Sequence, residues 1–143
     1  HLSKIIEITC SNFGCGSIEQ LVDFERNGHT HVCNFKKQGW IQFDFKTCKI
    51  QINSYVLRTN CCTGDLLKSW RIEILNDGLT WEKIDEHNDM NELRKNNIIK
   101  AFSVQMTKKI RFIRIITDKN GFNNRNYISI GKIEFFGKLF KFD

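Results

Sequence analysis

Apolar and polar residues in this chain alternate mostly with a period of two. The pattern is clearest over 69–81, where Trp70, Ile72 and Ile74 alternate with Arg71, Glu73 and Leu75, as in a strand with one apolar face. Asn76-Asp77-Gly78 follows, residues that tolerate positive φ and close a tight turn. Trp81 then opens a second strand over 81–84. The expected product is a β-hairpin whose two tryptophans pin a core.

The same reading predicts strands over 4–10, 39–45, 48–58, 98–104, 109–116 and 127–137, with 48–58 irregular near Asn53-Ser54. In 39–45, Ile41, Phe43 and Phe45 share one face, and Trp40, Gln42 and Asp44 the other. In 109–116, Ile110, Phe112 and Arg114 oppose Arg111, Ile113 and Ile115. Two short helical turns are expected, over 18–23 behind a Ser17 cap and over 90–94 behind an Asp89 cap. Loops fill 11–17, 24–38, 59–68, 85–89 and 118–126. Many short strands, almost no helix and no internal repeat predict an all-β sandwich or barrel.

Length and composition narrow this to a single domain over 1–143. The 143 residues include 12% aromatics and no proline, enough for one sizeable core and without a linker-like stretch. No apolar run is long enough to span a bilayer and no signal-like segment opens the chain. It begins at His1 rather than methionine, as an excised domain or a processed product would. The net charge of +6, from 22 Lys+Arg against 16 Asp+Glu, is carried by single bases and pairs such as Lys36-Lys37 and Lys108-Lys109. Many stand on strands opposite apolar positions, which reads as a solvated sheet face rather than a nucleic-acid patch.

The six cysteines, Cys10, Cys15, Cys33, Cys48, Cys61 and Cys62, suit either a disulfide framework or reduced thiols. None follows Cys62, and the adjacent Cys61 and Cys62 bridge each other only under strain. Reduced thiols in a cytosolic or nuclear setting are the preferred reading, since compartment decides more than count. Cys10-x4-Cys15 and His29-x-His31-x-Cys33 contain zinc-type ligands, but the spacing fits no short zinc pattern. Asp23 lacks the acidic neighbours that calcium prefers. No metal and no cofactor are expected. Nucleophile-elbow, P-loop, HExxH and dinucleotide signatures are all missing. Residues 85–89 read as a charged loop, and no spacing joins Cys61 or Cys62 to a histidine. The chain is not expected to be an enzyme.

Four blocks carry a family resemblance. They are Trp40-Ile41-Gln42-Phe43-Asp44-Phe45; Ser69-Trp70 with Asn76-Asp77-Gly78, Trp81, Ile84-Asp85 and Leu93; Arg111-Phe112-Ile113-Arg114-Ile115; and Ile133-Glu134-Phe135-Phe136-Gly137. In this order, over nearly the whole chain, they resemble the discoidin or coagulation-factor type C domain, and within it the intracellular branch found behind BTB domains. The resemblance implies a galactose-binding-like jelly-roll β-sandwich. It also implies a non-catalytic binding module whose ligands (glycans, phospholipid heads, peptides or collagen) meet loops at one end.

Mapped here, those loops are 11–17, 24–38, 59–68 and 118–126, with 59–68 the first place to look. Arg26, His29, His31, Asn34, Arg58, Asn60, Asn124 and Arg125 are the candidate donors and acceptors. A guanidinium fork suits a carboxylate or phosphate, and an Asn amide suits sugar hydroxyls. Taken singly, each reads first as an ordinary polar loop residue, since loops are polar for solubility; Arg58 and Arg125 rank first as ligand contacts because they sit at strand ends. For membrane docking the resemblance points to apolar loop tips at Phe13, Phe35, Leu66, Leu67 and Phe122. Leu66-Leu67 is the most suggestive pair, with burial under the sheet rim the equal alternative.

Trp70, the Asn-Asp-Gly turn and Trp81 are expected to be core and turn residues that do not touch ligand. Extracellular members usually join their two ends by a disulfide, and this chain has no cysteine after Cys62. That departure favours a cytoplasmic scaffold or protein-interaction domain of a larger protein or assembly, with a protein or peptide partner. The alternative is a secreted or cell-surface module that binds carbohydrate or anionic lipid. Leu75, where the family often has a small or polar residue, is a neutral departure.

Overall fold

In the computed structural model, residues 6–11, 18–22, 30–33, 39–60, 66–75, 78–117 and 127–141 are described. They form β1 (Glu7–Cys10), a 3₁₀ turn (Ile18–Val22), β2 (Thr30–Cys33), β3 (Gly39–Asp44), β4 (Cys48–Arg58) and β5 (Trp70–Leu75). β6 (Trp81–His87), β7 (Ile99–Ser103), β8 (Phe112–Thr117), β9 (Tyr127–Ile130) and β10 (Lys132–Lys141) follow. A five-stranded sheet in the order β1-β3-β8-β5-β6 faces a three-stranded sheet, β10-β4-β7, and β2 pairs with β9. All pairings are antiparallel. This is the expected galactose-binding-like β-sandwich.

The alternation decides what each sheet buries. Ile41 and Phe43 of β3, Ile113 and Ile115 of β8, and Trp70, Ile72 and Ile74 of β5 turn inward from the large sheet. Ile50, Ile52, Tyr55 and Leu57 of β4 and Ile133 of β10 meet them from the small one. The outer face of the large sheet is polar but paired. Arg114 donates to Glu73 at 2.7 Å, and Arg71 lies 3.4 Å from the other oxygen of the same carboxylate. Trp81 departs from the expected core position. It is half-buried on this outer face, with the Arg114 guanidinium 4.0 Å from its ring, because it pairs with Leu75 on the polar side of the hairpin. Asn76 and Asp77 lie outside the described residues; Gly78, with φ +80°, takes the left-handed conformation that the turn needs.

Other departures have tertiary causes. β2 occupies part of the expected 24–38 loop, since β9 gives those residues a partner. The expected 127–137 strand divides at Gly131, whose amide donates to the Arg58 carbonyl at 2.8 Å. A Cβ there would meet the Thr59 carbonyl oxygen at 2.8 Å. Ile110 does not share a face with Phe112: it bridges Ile50 in the opposite sheet and is buried, so the alternation breaks at the crossing. β6 runs through His87, so Asp85 to His87 are strand rather than loop. Residues 90–94 form no helix. Asp89, at φ +53°, is no N-cap; its amide is held by Ser69 Oγ at 2.9 Å. The 3₁₀ turn over Ile18–Val22 stands where a short helical turn is expected. Among the described residues no helix is long and apolar enough to cross a membrane.

Candidate functional site

The register gathers the loop ends on one side of the sandwich. In the large sheet Cys10 lies opposite Ile41, Gly39 opposite Thr117, Arg71 opposite Ile116 and Trp70 opposite His87. In the small sheet Arg58 lies opposite both Lys132 and Ile99. Segments 12–17, 34–38, 61–65 and 118–126 therefore leave from or return to the same end.

At that end of the sandwich is a hydrogen-bonded floor. Asn60 is fully buried; its Nδ2 donates to Ser129 Oγ at 2.6 Å, and its Oδ1 accepts from Asn96 Nδ2 at 2.9 Å. Thr59 Oγ1 donates to the Lys95 carbonyl at 2.6 Å and accepts from the Ile98 amide at 2.9 Å. The Met90 amide reaches the Lys68 carbonyl, and the Asn97 amide the Asn60 carbonyl. Segment 88–98 is thus stitched to the base of the 59–69 segment and forms a further wall that the sequence reading missed. Asp89 and Asn97, both Asx residues at positive φ, were the available signal.

The predicted site residues divide accordingly. Arg58 is half-buried at the end of β4, with Nη2 3.4 Å from Asn97 Oδ1. Asn60 is a floor residue with both amide atoms engaged inside the fold. Leu66 and Leu67 are 5% and 1% exposed, so they are core side chains and not loop tips; the adjoining Lys68 carbonyl accepts from the Met90 amide. His31 is in β2, and its side chain is outside the description. Arg26, His29, Asn34, Asn124 and Arg125 lie outside the described residues, as do Phe13, Phe35, Phe122, Asp23, Cys15, Cys61 and Cys62. Cys10 and Cys48 are free thiols, and burial pushes the Cys10 thiol above its ordinary pKa. Among the described residues no cluster of His, Cys, Asp and Glu could hold a metal ion.

Two features adjoin the floor. A notch of about 90 Å³ is lined by Ser69, Trp70, Arg71, Glu86, Asn88, Ile116 and Thr117. Just inside the sandwich, Tyr55 donates to Asp85 Oδ2 at 2.6 Å and accepts from Trp70 Nε1 at 2.9 Å. His87 Nε2 lies 3.0 Å from the same Asp85 oxygen. Burial first, and then donation to Asp85, push the Tyr55 phenol far above its ordinary pKa, so it serves as a donor. The rings of Trp70, His87 and Phe102 close around this set, and it holds strand to strand.

The F5/8 type C domain model matches residues 7–131, and the chain belongs to that family. No curated protein sequence matches it. Among solved structures it is similar to CBM32-3 from a family 31 glycoside hydrolase of Clostridium perfringens, with a TM-score of 0.75 and 18% identity over 95% of this chain and 93% of that one. CpGH89CBM32-5 from the same organism, in complex with GalNAc-beta-1,3-galactose, aligns with a TM-score of 0.71 and 15% identity over 94% and 96%. The family 32 CBM of C. perfringens NanJ, in complex with galactose, aligns with a TM-score of 0.72 and 12% identity over 92% and 93%. At these identities the likeness establishes the fold.

Proposed function

We propose that this chain is a non-catalytic binding domain that takes carbohydrate at the loop end of the sandwich. One observation carries the reading: the strand register brings the strand ends that flank segments 12–17, 34–38, 61–65 and 118–126 to one end of the sandwich, where Asn60, Thr59 and Gly131 make a rigid floor. Rigid strand ends that hold polar loops are what oriented recognition of sugar hydroxyls requires. The likeness in fold to modules whose structures hold galactose and GalNAc-beta-1,3-galactose supports the choice of ligand. Arg58 supplies a donor from the described surface, and Arg26, His29, His31, Asn34, Asn124 and Arg125 are the candidates on the surrounding loops. Glycans of this kind are met outside the cell, so the reading carries the secreted or cell-surface setting in place of the cytoplasmic one. It likewise replaces the expected protein partner with a sugar.

A glycan array followed by calorimetry with galactose and N-acetylgalactosamine tests this. Binding of a defined glycan, weakened in Arg58→Ala and Arg125→Ala with an unchanged melting temperature, is the expected result. A blank array from folded protein, together with a specific protein recovered by native co-purification, would overturn it in favour of the scaffold reading.

A further inference from the structure

Among the described residues, a group of exposed lysines stands at the end of the small sheet farthest from the loops. On that sheet's outer face Lys49 stands beside Phe140 and Gln51 beside Lys138. Segment 107–110 runs along the other flank of β4: the Thr107 amide donates to the Ile52 carbonyl, the Ile52 amide donates to Thr107 Oγ1, and Ile110 bridges Ile50. Because Ile110 and Ile50 are buried in the core, their neighbours Lys109 and Lys49 turn outward. Lys109 Nζ reaches across β4 to lie 4.1 Å from the centroid of the Phe140 ring. Lys49, Lys109 and Lys138 are exposed, as are the flanking Lys108 and Lys141. The one described carboxylate on the ladder positions of this face is Glu134, beyond the register shift at Phe136/Gly137. β4 is 11 residues long, so this face stands about 30 Å from the loop end.

We propose that this lysine face binds a sulfated polysaccharide. Lysines on three neighbouring backbone segments, spaced about 4.8 Å apart, put ammonium groups on long stems over a flat surface. That surface is complementary to anionic groups repeated along an extended chain. The other polyanions fit less well. The face offers ammonium groups rather than the guanidinium forks favoured for phosphate. Lys109 covers the Phe140 ring that would otherwise stack on a base, and the exposed Leu139 between Lys138 and Lys141 stands mid-strand on the Ile50 side of the sheet, not on a loop tip that enters a bilayer. The site is separate from the loop end, and its test leaves that reading untouched.

The experiment measures retention on immobilised heparin and affinity for heparin in solution, for the wild type and for Lys109→Glu/Lys138→Glu. The wild type should be retained at about 0.15 M salt. The double variant should bind roughly tenfold more weakly or worse with an unchanged melting temperature, and Arg58→Ala should bind like the wild type. Elution of the wild type below that salt, or equal affinity in the double variant, would overturn the proposal. So would phosphatidylserine vesicles or a short DNA duplex binding as tightly as heparin.

Discussion

Tyr55 and Asp85 join the two sheets by a single 2.6 Å hydrogen bond from the phenol of β4 to the carboxylate of β6. The Trp70 indole donates to the same phenol oxygen at 2.9 Å, so removing the hydroxyl leaves the buried indole N–H without this acceptor and leaves Asp85 Oδ2 with His87 alone of its two close partners. Tyr55→Phe should therefore cost about 1–3 kcal/mol, roughly 4 °C in melting temperature per kcal/mol for a chain of this size. Chemical and thermal denaturation read this directly, and a loss well under 1 kcal/mol would mean the bond adds little.

The phenol also sets an alkaline limit. Its pKa is raised in the fold, so its contribution to stability is complete below the unfolded tyrosine pKa of about 10 and is lost as pH rises beyond it. Ultraviolet titration should leave Tyr55 protonated until the protein unfolds, and Tyr55→Phe should flatten the alkaline fall in stability.

Asp44 behaves in the opposite sense. Arg111 donates to its two oxygens at 2.6 and 3.0 Å and holds the carboxyl below the usual range; burial opposes this, and the Lys46 amide assists. The stabilisation is present above the unfolded Asp pKa of about 3.9 and fades as pH falls through the lower folded value. Because Arg111 is 43% exposed, Asp44→Asn should cost about 1 kcal/mol or less at neutral pH. The gap from wild type should shrink in acid, as measured by urea midpoints from pH 7 to 3.

Two glycines should differ in severity. A Cβ on Gly137 would lie 1.8 Å from the Gln51 carbonyl oxygen, and one on Gly131 would lie 2.8 Å from that of Thr59. Gly137→Ala should prevent normal expression or cost about 4 kcal/mol or more, and Gly131→Ala about 1–3 kcal/mol. Because Gly131 lies in the floor, its substitution should also weaken ligand binding at the loops, which a calorimetric titration compares.

Asn60 and Arg58 separate anchoring from contact. Asn60→Ala removes the bonds to Ser129 and Asn96 and should lower stability by about 1–3 kcal/mol along with affinity. Arg58→Ala should change stability by less than about 1 kcal/mol, so any loss of affinity reports on the site itself.

Alternation alone was enough to put Ile41 with Phe43 and Ile113 with Ile115 on shared faces, and the packing of the two sheets shows that these are the buried ones. It failed where a residue takes its partner from elsewhere in the fold. Thr30–Cys33 is too short to announce a strand without β9, and Ile110 turns inward only because Ile50 waits in the other sheet. Asn60 and Leu66-Leu67 look like loop chemistry in one dimension. All three are buried, Asn60 with bonds to Asn96 and Asn97 of segment 88–98, a closure that no local pattern encodes. Trp81 followed the family pattern yet surfaced, since hairpin register, and not hydrophobicity, fixes its side.

The register shift between Phe136 and Gly137 leaves Asn53 as an extra residue on β4, and it acts there as a change of reading frame. Before it, even-numbered Cys48, Ile50 and Ile52 are buried; after it, odd-numbered Tyr55 and Leu57 are. One supernumerary residue thus lets a single strand present Lys49 and Gln51 to solvent at one pole while Tyr55 reaches Asp85 near the other. Were the strand in uniform phase with its upper half, Lys49 would point into the core and Ile50 into water. The outward Lys49 and the inward Tyr55 both owe their side of the sheet to that one-residue change of phase.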